Sequence, residues 1–184
     1  MTEVKRLFDF PYYQLENYPQ EAALVSKENG TWVKTSTQQY IDQANAISRG
    51  LIKLGVKAND KVAIISMTNR TQWNICDIGI LQTGAQDVPI YPTISEQDYE
   101  YVLNHSESKY VFVSCKEVLD KINKIKANVP TLLGVYSFED IDGCDSWQEV
   151  ITLGNDNQDL QQEVQKRMDA VHEDDLATLI YTSG

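Results

Sequence analysis

Residues that build metal sites and disulfide frameworks are scarce in this sequence. Its 184 residues include three cysteines and two histidines, and none of them cluster at the short spacings that a zinc site requires. The first residues contain no apolar core of the kind that a secretory signal needs, so we expect a cytoplasmic protein with reduced thiols. No run of 18 or more apolar residues occurs, which argues against a transmembrane segment.

Basic residues are also outnumbered. The chain has 16 Lys and Arg residues against 27 Asp and Glu residues, for a net charge of −11. Because a surface of this sign repels phosphate backbones, we expect no nucleic acid among its partners. The hydrophobic share of 42% and the charged share of 23% are typical of a folded soluble domain rather than of a disordered chain.

What the sequence does contain is a regular alternation of strand and helix patterns. Apolar runs separated by single helices predict a mainly parallel, doubly wound α/β sheet with helices on both faces. The strands are expected at residues 61–66, 86–91, 110–114, 131–136 and 176–181. The helices are expected at residues 71–83, 95–103 and 118–129, with a polar surface helix at 160–168. Residues 140–159 show little periodicity, and we interpret the acidic run around Asp140, Asp142 and Asp145 as a solvated connection. We interpret Trp32, Trp73 and Trp147 as core or interface anchors.

A hairpin and a helix precede this alternation. Asn29-Gly30 separates two β-favouring runs, and Asn-Gly supplies the positive φ angles of a tight hairpin turn. Ser36 and Gln39 form the sequence signature of a capping box, and Gly55 is placed to end the helix that follows. The helix carries one apolar stripe at helical spacing, formed by Tyr40, Ala44, Ile47, Leu51 and Leu54.

The last predicted strand runs into Thr182, Ser183 and Gly184. Ligands of open α/β sheets bind outside the carboxyl ends of the strands, and hydroxyls with free backbone N–H groups in a turn can hold phosphate oxygens. These three residues are therefore the candidate phosphate-binding residues. Small polar residues after a strand also fit an ordinary turn, so the motif alone leaves both interpretations open.

Residues 174–184 resemble the start of the phosphate-binding signature of the adenylate-forming superfamily, which includes acyl-CoA synthetases, luciferases and peptide-synthetase adenylation domains. Further matches upstream follow in the family's order, with Asn59 where the family commonly has glycine and Gln72 where it has glutamate. They comprise residues 50–56, residues 60–64, Asn69, Trp73 and Gly84-Ala85. Residues 88–95, Tyr101 and residues 105–107 are similar to the long-chain fatty acyl branch in particular.

The resemblance implies that the chain is an N-terminal fragment of an ATP-dependent, AMP-forming long-chain fatty acid–CoA ligase. Such an enzyme joins ATP and a fatty acid carboxylate into an acyl-adenylate, and the thiol of coenzyme A then displaces AMP. ATP, Mg²⁺ and coenzyme A are thus expected for the parent enzyme, which could also associate peripherally with a membrane. Of the family's binding groups this chain contains only Thr182, Ser183 and Gly184, and we identify no catalytic residue and no metal ligand. We therefore expect the chain itself to be inactive and to hold no cofactor.

The resemblance also implies a division of the chain. Residues 1–58, the hairpin and first helix, would belong to a neighbouring subdomain, and residues 59–184 would form an α/β subdomain truncated at the start of the phosphate-binding loop. The first helix would then stand apart from the sheet and lack cover for its apolar stripe. Exposed apolar patches favour association, so we expect this segment to be poorly ordered or to form a homodimer.

Two other interpretations fit the same residues. One is an adenylation domain for an amino or aryl acid, which only acyl-pocket residues further along the chain would distinguish. The other is a self-contained flavodoxin-like binding module without catalysis, in which Thr182, Ser183 and Gly184 are merely a tail. An open reading frame that continues past Gly184 into a Gly/Thr-rich loop with a lysine would eliminate this last interpretation.

Overall fold

The structure, a computed structural model, describes residues 3–28 and 30–182. The helices are α1 (Asp9–Asn17), α2 (Thr37–Lys53), α3 (Thr71–Gln82), α4 (Glu96–Ser106), α5 (Lys116–Ile125), α6 (Trp147–Asp156) and α7 (Gln161–Ala170). The strands are β1 (Leu24–Glu28), β2 (Thr31–Thr35), β3 (Lys61–Ile65), β4 (Gln86–Ile90), β5 (Ser108–Val113), β6 (Gly134–Ser137) and β7 (Asp145–Ser146).

Five of these strands form a parallel sheet in the order β4-β3-β5-β6-β7. If the sheet's strands are numbered along the chain, this order is 2-1-3-4-5, the doubly wound arrangement of flavodoxin-like folds. The prediction of a parallel α/β sheet with helices on both faces is therefore confirmed. The predicted hairpin is also present: β1 and β2 pair antiparallel from Leu24 opposite Thr35 to Glu28 opposite Thr31. Asn29 of its turn lies outside the described residues.

The sheet separates two apolar layers. Successive side chains of a strand point to opposite faces, and in β3 all four apolar side chains are buried on one face or the other. One layer packs β3, β5 and β6 against α2, α3 and α6, with Ile47, Leu51, Val62, Ile64, Phe112 and Trp147 among its buried residues. The other packs the sheet against α4 and α5, with Ala63, Ile65, Tyr99, Leu103, Val111 and Ile122.

The expectation that the first helix stands apart from the sheet is wrong. α2 begins at the predicted capping box of Ser36 and Gln39, but its stripe is buried in the layer that covers β3, with Ile47 and Leu51 fully inaccessible. The helix fits closely against α6, since a methyl group on Gly154 would collide with the carbonyl oxygen of Ala46. The argument for a homodimer through this segment is thereby lost. The assignment of residues 1–58 and 59–184 to two subdomains of a longer protein stays a prediction.

The cover for α2 is a helix that the sequence-based interpretation missed. Residues 140–159, which show little periodicity in sequence, contain β7 and α6, and β7 includes Asp145 of the acidic run that was interpreted as a solvated connection. Ser146 accepts a hydrogen bond from the backbone of α6 and Glu149 completes a capping box, which is a signal that the sequence did offer. Trp147 is 5% exposed and packs edge-on against Phe138 with ring centroids 5.8 Å apart, so its interpretation as an anchor is confirmed. Trp73 is partly buried against the same layer, whereas Trp32 is 66% exposed and is not a core anchor of the described fold.

The last helix forms where it was expected but is more than a surface element. In α7 the apolar residues Val164 and Met168 are 0% and 5% exposed. They pack with Phe8, which precedes α1, and with Leu81 of α3. Arg6 adds hydrogen bonds to the carbonyl oxygens of Met168 and Val171. The two ends of the described chain are therefore joined by one small apolar cluster.

Candidate functional site

Residues 176–182, called the edge segment below, lie beside β4. Thr178 forms an isolated parallel bridge with Asp87. The backbone N–H of Asp87 donates to the carbonyl oxygen of Ala177 at 3.1 Å, and the N–H of Leu179 donates to the carbonyl oxygen of Asp87 at 3.0 Å. These two hydrogen bonds attach the edge segment to the sheet.

The predicted fifth strand at residues 176–181 is thus reduced to a bridge. In a parallel ladder, both backbone groups of alternate residues face the same neighbour, so the residue after Asp87 that faces the edge segment is Pro89. Proline has no N–H to donate, and it interrupts a ladder wherever it stands. Leu176 and Ile180 remain 55% and 68% exposed. The position of Pro89 was the signal that sequence reasoning missed.

At Tyr181 the edge segment is also held by a side-chain contact with α4. The hydroxyl of Tyr181 lies 2.8 Å from Nδ1 of His105, and the two rings meet edge-on with centroids 5.7 Å apart. Tyr101 also stacks on the imidazole, with ring centroids 5.5 Å apart. His105 lies in the last turn of α4, which ends at Ser106 with Glu107 in the left-handed conformation at φ 56°. Tyr181 is therefore fixed immediately before the first candidate phosphate-binding residue.

The structure places one of the three candidate residues. Thr182 is exposed, and it follows the bridge in the direction in which β4 runs, toward the carboxyl edge of the sheet. Ser183 and Gly184 lie outside the described residues. That these three residues contact phosphate stays a prediction.

Two carboxyl groups, those of Asp87 in the bridge and Asp77 in α3, were not singled out from the sequence. Asp87 is 2% exposed, and its carboxyl interacts electrostatically with that of Asp77 in α3. Burial raises the pKa of both groups, that of Asp77 to about 6, and the negative charge of Asp77 raises the pKa of Asp87 further. Asp77 and Asp87 are ten residues apart in sequence, so no local motif points to them.

The strand order reverses between β3 and β5, and hydrogen bonds join the chain segments that follow these two strands. The backbone N–H of Met67 donates to Ser114 Oγ at 3.0 Å, and Arg70 donates to the carbonyl oxygen of Ser114 at 2.8 Å. The guanidinium of Arg70 also lies 5.4 Å from the ring centroid of Phe138. In doubly wound sheets this crevice is a common ligand position. Here the side chain of Arg70 crosses it.

A cavity of about 470 Å³ lies beside the start of the edge segment. Its lining is largely apolar and comes from the segment before α1, the end of α3 and the chain after α7. The lining residues include Phe8, Leu81, Ala85, Val171, Leu176 and Ala177. Since Ala85 precedes β4, this cavity is at the amino end of the strands, away from Thr182.

The model of the AMP-binding enzyme family matches residues 12–184. The chain belongs to the AMP-binding enzyme family.

Relatives within the family are similar along most of the chain. A long-chain-fatty-acid–CoA ligase named FadD15 from Mycobacterium bovis is 34% identical over 156 residues, which cover 85% of this chain and 25% of that protein. The long-chain-fatty-acid–CoA ligase ACSBG2 of Xenopus laevis is 30% identical over 175 residues, which cover 92% of this chain and 23% of that protein. The chain thus spans about a quarter of the length of these relatives.

The fold is shared with solved structures of other proteins. The anthranilate CoA ligase AuaEII, solved in complex with anthranoyl-AMP, superposes with a TM-score of 0.66 at 23% identity over 79% of this chain and 26% of that one. At this identity the likeness shows the fold alone.

The exposed hydroxyl of Thr182 beyond the bridge fits a contact with a phosphate oxygen. Within residues 3–28 and 30–182, no group of three His, Cys, Asp or Glu side chains is placed to hold a metal ion, so no residue there can be assigned to Mg²⁺. No helix in these ranges is long and apolar enough to cross a membrane.

Proposed function

We propose that this chain is part of an ATP-dependent, AMP-forming long-chain fatty acid–CoA ligase located in the cytoplasm. The observation that carries the proposal is the similarity to two ligases of that name over 85% and 92% of the chain. The match of residues 88–95 and 105–107 to the long-chain branch supports the same substrate class. The 184 residues by themselves are proposed to be inactive.

Such a ligase must give the carboxylate a better leaving group before a thiol can attack it. ATP supplies it, because an acyl-adenylate expels AMP when the thiol of coenzyme A attacks its carbonyl carbon. The residues of this chain would contribute to binding. The hydroxyls of Thr182 and Ser183 and the backbone N–H of Gly184 would donate hydrogen bonds to phosphate oxygens. No step is assigned to Mg²⁺ or coenzyme A, since no described residue fits them.

The test is a substrate panel on the protein encoded by the full open reading frame. Purified enzyme is given ATP, Mg²⁺, coenzyme A and one acid at a time, and pyrophosphate release is followed. We expect palmitate to be used with the highest kcat/KM. Each buried methylene contributes roughly 0.8 kcal/mol, so an acyl tunnel should discriminate steeply against short acids. A preference for acetate would contradict the long-chain assignment.

One alternative substrate class has a specific observation behind it. AuaEII, which shares the fold, acts on anthranilate, and the acyl pocket is not represented in the described residues. A panel that favoured anthranilate or an amino acid over palmitate would transfer the proposal to an adenylation enzyme for aryl or amino acids.

A second alternative is a flavodoxin-like binding module without catalysis, which the strand order 2-1-3-4-5 favours. Reading the open reading frame past Gly184 distinguishes it from a ligase. A continuation into a Gly/Thr-rich loop with a lysine is the expected result. A stop codon after Gly184 would favour the binding module and contradict the ligase proposal.

A further inference from the structure

The edge segment loses its backbone pairing with β4 before it reaches Thr182. The N–H of Leu179 donates to the carbonyl oxygen of Asp87 at 3.0 Å, and in the described part of the chain no backbone hydrogen bond joins residues 180–182 to β4. Pro89, the next residue of β4 that faces the edge segment, has no N–H to offer. Hydrogen bonds to the sheet therefore do not set the direction in which the chain arrives at Thr182.

The side chain of Tyr181 supplies a further attachment. Its hydroxyl lies 2.8 Å from Nδ1 of His105, 76 positions earlier in the chain, and its ring packs against the apolar layer that α4 and α5 form with the sheet. A phenol hydroxyl can donate to a ring nitrogen that carries no proton, so the contact fits neutral His105 with its proton on Nε2. Because Thr182 follows Tyr181 directly, this contact limits where the hydroxyl of Thr182 can lie.

His105 belongs to a well-packed part of the fold. It lies in the last turn of α4, between Leu103 and Ser106, which are 0% and 2% exposed. The hydroxyl of Ser106 lies 2.7 Å from that of Ser108, the first residue of β5. Tyr101, one turn earlier in α4, stacks on the imidazole with ring centroids 5.5 Å apart. The imidazole is therefore presented from a buried helix end that is joined to the central sheet.

We propose that His105 is a positioning residue for the candidate phosphate-binding residues, which it holds in place through the hydroxyl of Tyr181. In this role His105 does not contact nucleotide, and it acts on Thr182 through Tyr181. Its effect on nucleotide binding rests on the proposed phosphate-binding function of Thr182, whereas the contact between α4 and the edge segment is a property of the described fold. From the sequence, residues 105–107 contributed only a similarity to the long-chain branch, and the contact with Tyr181 gives His105 a physical role.

NMR of the 184-residue chain tests this contact without any nucleotide. The first readout is the nitrogen chemical shift of His105 Nδ1, which we expect to change when Tyr181→Phe removes the hydroxyl. The second is the order parameter of the amide of residue 181, about 0.85 in a rigid backbone and below about 0.6 in a flexible one. We expect a high value in the wild type and a clear fall in Tyr181→Phe and in His105→Ala. The amide of Val111, in the fully buried centre of β5, is the internal control and should keep its value in every variant.

Two further variants separate the hydrogen bond from a general loss of structure. His105→Asn keeps an acceptor close to the position of Nδ1 and should retain most of the order that His105→Ala loses. Tyr18→Phe makes the matched chemical change at the end of α1, where the hydroxyl of Tyr18 donates to that of Tyr13 at 3.1 Å, and it should leave residue 181 unchanged. If His105→Ala does not fold, Tyr181→Phe and His105→Asn still give the result.

The consequence for nucleotide binding is measured on the protein encoded by the full open reading frame. We expect His105→Ala and Tyr181→Phe each to raise KM for ATP about fivefold, as the loss of one hydrogen bond would, with little change in KM for the acid. The double variant should show about the same fivefold increase, because both substitutions break a single contact.

Three results would each overturn the positioning role of His105. They are an Nδ1 shift that Tyr181→Phe leaves unchanged, an order parameter at residue 181 that neither single variant lowers, and effects of the two substitutions on KM for ATP that multiply in the double variant. A fall in order at residue 181 with an unchanged KM for ATP would support the positioning role and contradict phosphate binding at Thr182 instead. The two proposals can therefore fail separately.

Discussion

β3 and β4 are neighbours in the sheet, but they are held in different ways. β3 pairs along its length with a strand on each side, and its four apolar residues are at most 1% exposed. β4 pairs fully with β3 alone, while on its other side the edge segment is attached at Asp87. Apolar burial fixes the centre of the sheet, whereas polar groups govern this edge. The candidate phosphate-binding residues therefore follow an incompletely paired part of the fold.

Removing a tryptophan should show the largest difference in the free energy of unfolding between the centre of the fold and its periphery. Trp147 is 5% exposed within the layer that covers β3, whereas Trp32 of the hairpin is 66% exposed. Trp147→Ala should lower the free energy of unfolding by about 3 to 5 kcal/mol, the usual cost of emptying a buried aromatic site.

Trp32→Ala is the matched control for the same chemical change. It should alter the free energy of unfolding by no more than about 0.5 kcal/mol, because little of the side chain leaves water on folding. Urea unfolding followed by circular dichroism checks both variants. Equal losses for the two would mean that α6 does not cover the sheet as described.

Stability should decrease as pH rises from about 4 through about 6. Burial holds the pKa values of Asp77 and Asp87 above the ordinary carboxyl range, that of Asp77 at about 6. The folded chain therefore binds more protons than the unfolded chain, and the stabilisation present at low pH is lost as the pair ionises. One such proton gives a slope of roughly 1.4 kcal/mol per pH unit.

Urea unfolding of the wild type and of Asp77→Asn at several pH values measures this slope. We expect a shallower slope in Asp77→Asn over the same range. Identical slopes in the two proteins would show that the pair does not retain its proton in the folded state.

The smallest effect is expected at the exposed side of the edge segment. Ile180 is 68% exposed, so Ile180→Ser should change the free energy of unfolding by less than about 0.5 kcal/mol. A buried counterpart such as Ile64→Ser in β3, at 1% exposed, should be severely destabilising because it leaves both a cavity and a buried hydroxyl. A large loss for Ile180→Ser would mean that the edge segment is covered in solution.

Local patterns in the sequence were sufficient to predict the helices and strands in the central part of the fold. The apolar run at residues 61–66 and the capping box at Ser36 predicted elements that the structure contains. α6 was missed because acidic residues around Asp140 and Asp145 obscured a short apolar stripe, although Ser146 begins a capping box.

The features that could not be predicted depend on partners distant in sequence. The burial of α2 depends on α6, which lies about a hundred residues later in the chain. The reduction of residues 176–181 to a bridge follows from Pro89 on the neighbouring strand, and the Asp77–Asp87 pair exists only because α3 packs over β4. For the candidate site, the sequence identified Thr182, Ser183 and Gly184 but not the groups that hold the preceding residues.

The central claim is that the phosphate site begins at Thr182 and needs more than the 184 residues to bind nucleotide. Calorimetric titration with ATP and Mg²⁺ tests it, comparing this chain with a longer product of the same reading frame and with its Thr182→Ala variant. We predict binding weaker than about 1 μM for the 184-residue chain, which corresponds to less than about 8 kcal/mol, and clear weakening by Thr182→Ala in the longer protein. Submicromolar binding by the 184-residue chain, or an unchanged affinity in the Thr182→Ala variant, would contradict the account.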